Sequence, residues 1–325
     1  MIDAFDAIRG QDAAVTALRR VVAQERIASA YLFEGPSGVG KEQAALALAR
    51  AVIGEKAWPR IRSGAHPDVR IYRPRDEGHR NIRVEFLREE VLRHAEYAPF
   101  EGKNAFLIFP EADVSFPEIH PEAGNALLKT LEEPKAGVTF VLLAERPQRL
   151  LPTIRSRSQP LRFQRLDGSV VEAILMEHGI DEETAVIATA LSGGRADKAL
   201  WLAEEERAQQ LFELAMRVDE VTADHRPDAL VDVADELAKQ EDLRAALEGL
   251  GAYYADLARA ALGVPDEALA FRHEAGPIRR RGEKLGARRA AARVELLTTI
   301  FEDLDANANK GTAMDSLIFR LRTAR

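Results

Sequence analysis

Two hydrophobic rhythms run along this chain, and the change from one to the other divides it. Up to about residue 165, short apolar runs recur between stretches of helical spacing. AYLFEG (30–35), VRIY (69–72), NAFLIF (104–109), VTFVLLAE (138–145) and PLRF (160–163) are short runs that predict strands. The most continuous of them, NAFLIF and VTFVLLAE, read as strands buried on both faces. Between them, QDAAVTALRRVVAQERI (11–27) sets Val15, Leu18 and Val22 on one helical stripe, and QAALALARAVI (43–53) is strongly helical. VEFLREEVLRHAEYAP (84–99) predicts a helix stopped by Pro99, and GNALLKTLEEP (124–134) one closed by Pro134. RLLPTIRSR (149–157) predicts a short helix. Short apolar strands alternating with helices predict a parallel α/β sheet covered on both faces.

Past residue 165 the strand signals stop. SVVEAILMEHG (169–179), DEETAVIATALSGG (181–194) and RADKALWLAEEE (195–206) are consecutive helical patterns with glycine breaks. From 207 to 325 the chain is almost entirely helix-forming, with breaks at HRPD (225–228), GVPD (263–266) and HEAGP (273–277). The expected division is an α/β domain over 1–165, a small helical domain over 166–206 and an all-helical domain over 207–325. No repeat of fixed period is visible.

Composition narrows the function classes. With 325 residues, 46% apolar and 30% charged, the chain reads as soluble and globular. It has no cysteine, which excludes disulfides and Cys-based zinc sites. No run approaches the roughly 18 apolar residues of a membrane span, and the start MIDAFDAIRGQ lacks a signal-type apolar core, so a cytoplasmic protein without membrane contact is expected. A net charge of −8 argues against general attraction to nucleic acid. The basic run FRHEAGPIRRRGEKLGARRAAAR (271–293) is the local exception, read either as a solvated helix face or as a contact for DNA phosphates or an acidic partner. The seven histidines show no ligand spacing, so no metal site is expected.

The chemistry concentrates at GPSGVGKE (35–42), a glycine-rich loop set between a predicted strand and a predicted helix. Gly35, Pro36, Ser37, Gly38, Val39, Gly40 and Lys41 form the kind of loop whose backbone N–H groups, absent only at Pro36, cradle phosphates at a helix N-terminus. Lys41 would reach the β- and γ-phosphates, but Glu42 stands where the pattern asks for a magnesium-binding Ser or Thr. A second departure lies after NAFLIF. Pro110 occupies the place of a metal-holding Asp, while Glu111 and Asp113 remain, either as site carboxylates or as solvation of a strand end. Binding of ATP or ADP is left open.

GPSGVGK, GAHPDVRIY, IRVEFLREEVLRHAEYAPFEGKNAFLI, NALLKTLEEP and LLPTIRSRS, in this order, resemble the delta-prime subunits of the bacterial DNA polymerase III clamp loader over about residues 5–165. The later helices match only in general character, as in ANANKGTAMDSLIFRL. The resemblance implies a P-loop AAA+ domain with a parallel sheet, a small helical lid and a C-terminal helical collar. It implies hetero-oligomeric assembly through that collar with gamma/tau-like motor subunits and a delta-like subunit, and contact with the sliding clamp and primed DNA through the complex. It also implies that Arg157, in the triplet Ser156-Arg157-Ser158, acts as an arginine finger on a neighbour's nucleotide, with Arg155 as the nearby competitor for that role. The four-cysteine zinc module common in the family is absent between 54 and 68, VSFPEIHPEAG (114–124) reads as an insertion, Ala144–Glu145 replaces the γ-phosphate-sensing polar residue, and Asp197 aligns with the lid arginine, with Arg195 nearby. These departures favour a subunit without ATPase activity of its own. An active gamma/tau-type ATPase is the alternative, and a small-molecule P-loop kinase a more distant one.

Overall fold

The computed structural model of the protein describes residues 3–74, 82–118, 120–223, 227–305 and 308–323. Five strands form one all-parallel sheet: β1 (Ala30–Glu34), β2 (Val69–Ile71), β3 (Ala105–Phe109), β4 (Val138–Ala144) and β5 (Gln159–Arg162). Their order is β2-β3-β4-β1-β5, with Leu32 of β1 opposite Leu142 of β4 and Pro160 of β5. The expected parallel sheet, with a glycine loop between its first strand and the helix after it and with helices following the sheet, is therefore present.

The central strands β1, β3 and β4 are apolar on both faces because successive side chains point to opposite sides and both sides are covered there. Tyr31, Phe33, Ile108 and Leu143 pack with α1 (Asp12–Ala23) and α2 (Lys41–Ile53). Leu32, Leu107, Phe109 and Leu142 pack with Leu127 and Leu131 of α3 (Glu122–Glu132). The buried face of α2 is mostly alanine, with Ala44, Ala45 and Ala49 fully enclosed. Small side chains there let the helix that leaves the glycine loop sit close to the strands that carry the rest of the site.

The helix expected over 84–99 is irregular and shorter. It runs as α-helix Val84–Phe86, a π-turn Leu87–Leu92 and α-helix Arg93–Glu96, and Tyr97 is already extended. Ending before the residue that precedes Pro99 avoids the clash a proline imposes on a helical predecessor. The loop that follows is pinned from a distance. The buried Asp68 carboxylate accepts the backbone N–H groups of Phe100, Glu101 and Gly102 at 2.5, 2.8 and 2.8 Å. The His66 ring, also buried, accepts the Asp68 N–H at 3.1 Å through Nδ1. The GAHPD segment is thus a structural latch.

By compactness the chain falls into two units, one of Met1–Val171 with Gly194–Asp197 and one of Glu172–Gly193 with Lys198–Arg325. The second is helical. Its helices include α7 (Arg207–Ala223), α8 (Pro227–Ala238), α9 (Leu243–Ala261), α10 (Ala275–Leu285), α11 (Ala287–Asp305) and α12 (Lys310–Thr323). They follow α4 (Gly168–Glu177), α5 (Glu182–Ser192) and α6 (Ala196–Ala203), of which α4 and α6 straddle the division between the units. The break expected at HEAGP falls earlier, because α10 begins at Ala275 and carries Pro277 in its first turn, where a missing N–H costs little. Of the expected break at HRPD, His225 and Arg226 lie outside the described residues, as do Ile119 of the 114–124 segment and residues 306–307 of ANANKG. In this unit Asp219 is fully buried and bonds both Arg281 and Arg293. Arg279 pairs with Asp266. Three arginines of the basic run therefore hold the helices together, while Arg280, Lys284, Arg288 and Arg289 stay exposed. Tyr253 and Tyr254 are buried and pack edge-on against each other.

Candidate functional site: the phosphate-loop cleft

Gly35 to Lys41 form the expected loop between β1 and α2, with its geometry set by glycines in left-handed or extended positive-φ conformations. Gly38 (φ +69°) and Gly40 (φ +96°) turn the chain so that α2 starts at Lys41, and a Cβ at Gly35 would collide with the Phe163 carbonyl. The loop is braced by Gln11, a residue the sequence pattern did not single out. Its buried side chain donates to the carbonyls of Gln164 (2.7 Å) and Val39 (3.2 Å) and accepts the Gln164 N–H (2.9 Å). The only prior signal was its place just before an amphipathic helix.

The loop opens on a cleft of about 540 Å³. Lys41 sits at its floor, nearly buried, with its ammonium donating to the carbonyls of Gly35 (2.5 Å) and Pro36. Burial lowers the Lys41 pKa from 10.5 to about 8, against the opposing pull of Glu145, Asp113 and Asp197. Glu42 points across the mouth and pairs with Arg73 at 2.6 Å. Thus the charge that replaces the usual hydroxyl is answered by a cation from the end of β2.

The second strand end is organised differently from a metal site. Pro110 lines the cleft, and Glu111, also lining it, takes a left-handed conformation at φ +53°. Asp113 is buried and accepts the N–H groups of Glu145 (3.2 Å) and Arg146 (3.0 Å). Asp113 also lines the cleft, and these bonds tie the end of β3 to the end of β4. Ala144 is fully buried and contributes only its carbonyl, which accepts the Gly35 N–H at 3.0 Å, while Glu145 is exposed in the cleft. Among the described residues, no group of three or more His, Asp or Glu side chains is placed to hold a metal ion.

Asp197 also reaches the loop. The Ala196 N–H donates to the Gly38 carbonyl at 2.8 Å, and the Ser37 hydroxyl lies 3.4 Å from the Asp197 carboxylate. Arg195 is 3.5 Å from that same carboxylate, so the arginine beside the lid position turns onto its own acidic neighbour.

Arg157 is not among the residues that line this cleft. It ends the short helix Pro152–Arg157, where it pairs with Glu132 at 2.5 Å and donates to the Thr153 carbonyl at 3.1 Å. Its side chain stays partly exposed. Ser158 is buried and donates its hydroxyl to the Ile154 carbonyl at 2.9 Å, while Ser156 and Arg157 stay at the surface.

Comparison with known proteins places this half of the chain. Residues 10–167 match the family described as DNA polymerase III, delta subunit. The chain is 36% identical over 174 residues to the DNA polymerase III subunit delta' of Bacillus subtilis, covering 50% of each. It is 36% identical over 141 residues to the corresponding subunit of Pseudomonas aeruginosa, covering 40% of this chain and 41% of that one. It is also 34% identical over 187 residues to DNA polymerase III subunit tau of Escherichia coli, covering 55% of this chain and 28% of that one. The aligned stretch thus spans half or less of the length of these relatives. The resemblance to delta-prime subunits read from the sequence holds over this N-terminal half.

Proposed function

We propose that this chain is a delta-prime-type clamp loader subunit that assists loading of the sliding clamp onto primed DNA without turning over ATP itself. The observation that carries this reading is a division of labour within one unit. The phosphate-loop cleft has a Glu42–Arg73 pair and Pro110 where magnesium ligands belong, while Arg157 stands partly exposed outside the cleft. Arg157 acts as the arginine finger, placing a guanidinium against the γ-phosphate of an adjacent motor subunit, where several fixed donors stabilise developing charge. The helices of 166–206 act as the lid remnant and those of 207–325 as the collar that joins gamma/tau-like and delta-like partners. Nucleotide binding is dispensable in this scheme, and no zinc is involved.

Reconstitution tests it. The isolated chain should show negligible Mg²⁺-dependent ATP turnover. Arg157→Ala should still assemble with gamma/tau-type and delta-type subunits but lower the ATPase of the complex. Robust turnover by the isolated chain would establish the alternative, an active gamma/tau-type ATPase. Unchanged ATPase in the Arg157→Ala complex would remove the finger role.

A further inference from the structure

The phosphate loop faces a carboxylate supplied by its own chain. Asp197 is set against Gly38 so closely that a Cβ on that glycine would overlap the Asp197 carboxylate. The placement is held by backbone as well as by side chain, since the Ala196 N–H donates to the Gly38 carbonyl at 2.8 Å and Ser37 Oγ lies 3.4 Å from Asp197 Oδ2. Gly38 lies midway along the loop, three residues before the lysine, and it lines the same cleft as Asp197 and Lys41. Asp197 also acts electrostatically on Lys41, the cation a phosphate would need.

We infer that Asp197 is an internal anion of the phosphate loop, a specificity residue that keeps nucleoside triphosphates out of the cleft. Two effects combine. The carboxylate fills the space against Gly38 and engages the Ser37 hydroxyl, where a phosphate oxygen would otherwise sit, and its charge, offset in part by Arg195 and by solvent, repels a polyanion at contact distance. Loss of metal ligands at positions 42 and 110 would by itself leave a cleft able to hold nucleotide passively, because phosphate cradling needs only backbone N–H groups and the lysine. Asp197 closes that remaining option. The inference goes beyond the non-hydrolysing reading, which requires only that ATP is not cleaved.

The test is titration of the full chain with a fluorescent ATP analogue, with and without Mg²⁺, in the native protein and in Asp197→Asn, Asp197→Ala and Ser37→Ala. The Asp197 side chain is half exposed, so both replacements should melt within a few degrees of the native chain. Asparagine keeps the shape and removes the charge, and alanine removes both. Each should bind the analogue at least tenfold more tightly than the native chain. Ser37→Ala, which keeps the charge, should gain less than threefold. Unchanged affinity in both Asp197 variants overturns the inference, as does a gain in Ser37→Ala equal to that in Asp197→Asn. Turnover of ATP is followed in the same samples. Hydrolysis by the native chain would count against the proposed function, whereas affinity alone decides the role of Asp197.

Discussion

Lys41→Met should stabilise the isolated protein near pH 7. The Lys41 ammonium is almost buried, and its pKa falls from 10.5 to about 8 in the fold. At about 1.36 kcal/mol per pH unit, holding the proton at pH 7 costs the folded state about 3 kcal/mol relative to the unfolded chain. The cost fades as pH rises. Between about 8 and 10.5 the folded state has already released the proton while the unfolded state still binds it, so stability increases with pH across that window. By pH 10 the remaining cost is under about 1 kcal/mol. Methionine is close in length and apolar, and it forfeits only the bonds to the Gly35 and Pro36 carbonyls, worth about 0.5–1.5 kcal/mol each and replaceable by water from the open cleft. The net gain at pH 7 should be about 1–2 kcal/mol and should vanish near pH 10. Urea unfolding followed by Trp58, which packs beside α2, in a Trp201→Phe background measures it in the unit that contains the loop. A methionine variant less stable than the native chain at pH 7 would refute the reasoning, because it would mean that the loop stabilises the charged lysine without a ligand.

Three further outcomes follow from the same geometry. Asp68→Ala should cost about 3 kcal/mol or more in urea unfolding, because three backbone N–H groups lose a charged acceptor, and hydrogen exchange at Phe100 to Gly102 should accelerate. Asp219→Ala should cost about 3–5 kcal/mol, since it leaves two arginines without their shared buried carboxylate, and the loss should appear in the melting of the helical unit followed by Trp201. The double variant Glu42→Ser, Pro110→Asp should still fail to turn over ATP, because Ala144 lacks a polar group and Asp197 still faces the loop. Steady turnover in that variant, measured as phosphate release, would show that two side chains alone account for the inactivity.

Much of the architecture is legible in the amino-acid sequence. Five apolar runs correspond to the five strands with ends shifted by at most one residue, most clearly in β1, β3 and β4, where burial on both faces leaves little choice of residue in a parallel sheet. The glycine loop is legible because its backbone geometry excludes most side chains, the departures at 42 and 110 because they fall within a fixed local spacing, and that at 144 only through the resemblance to delta-prime subunits. The structure departs from the sequence pattern at two prolines. The helix before Pro99 ends earlier than expected, and Pro277 lies inside a helix. Pro99 lies three residues past the helix end and Pro277 in the first turn of one, and apolar periodicity does not resolve such single positions.

What the sequence by itself determined is the order of strands and helices, the phosphate loop and the pattern of altered positions around it, all of which depend on neighbours a few residues apart. Tertiary structure alone decided what those altered positions do. It set Arg73 against Glu42 from 31 residues away and the Asp197 carboxylate against Ser37 from 160 residues away. It made Asp113 a backbone acceptor for the loop 32 and 33 residues further on, and turned the HPD segment into a latch for residues 100–102. The physical reason is common to all four. A carboxylate's role depends on which cation or N–H group shares its surroundings, and that partner is brought there by the crossing of the sheet and the return of the chain, which no local period records.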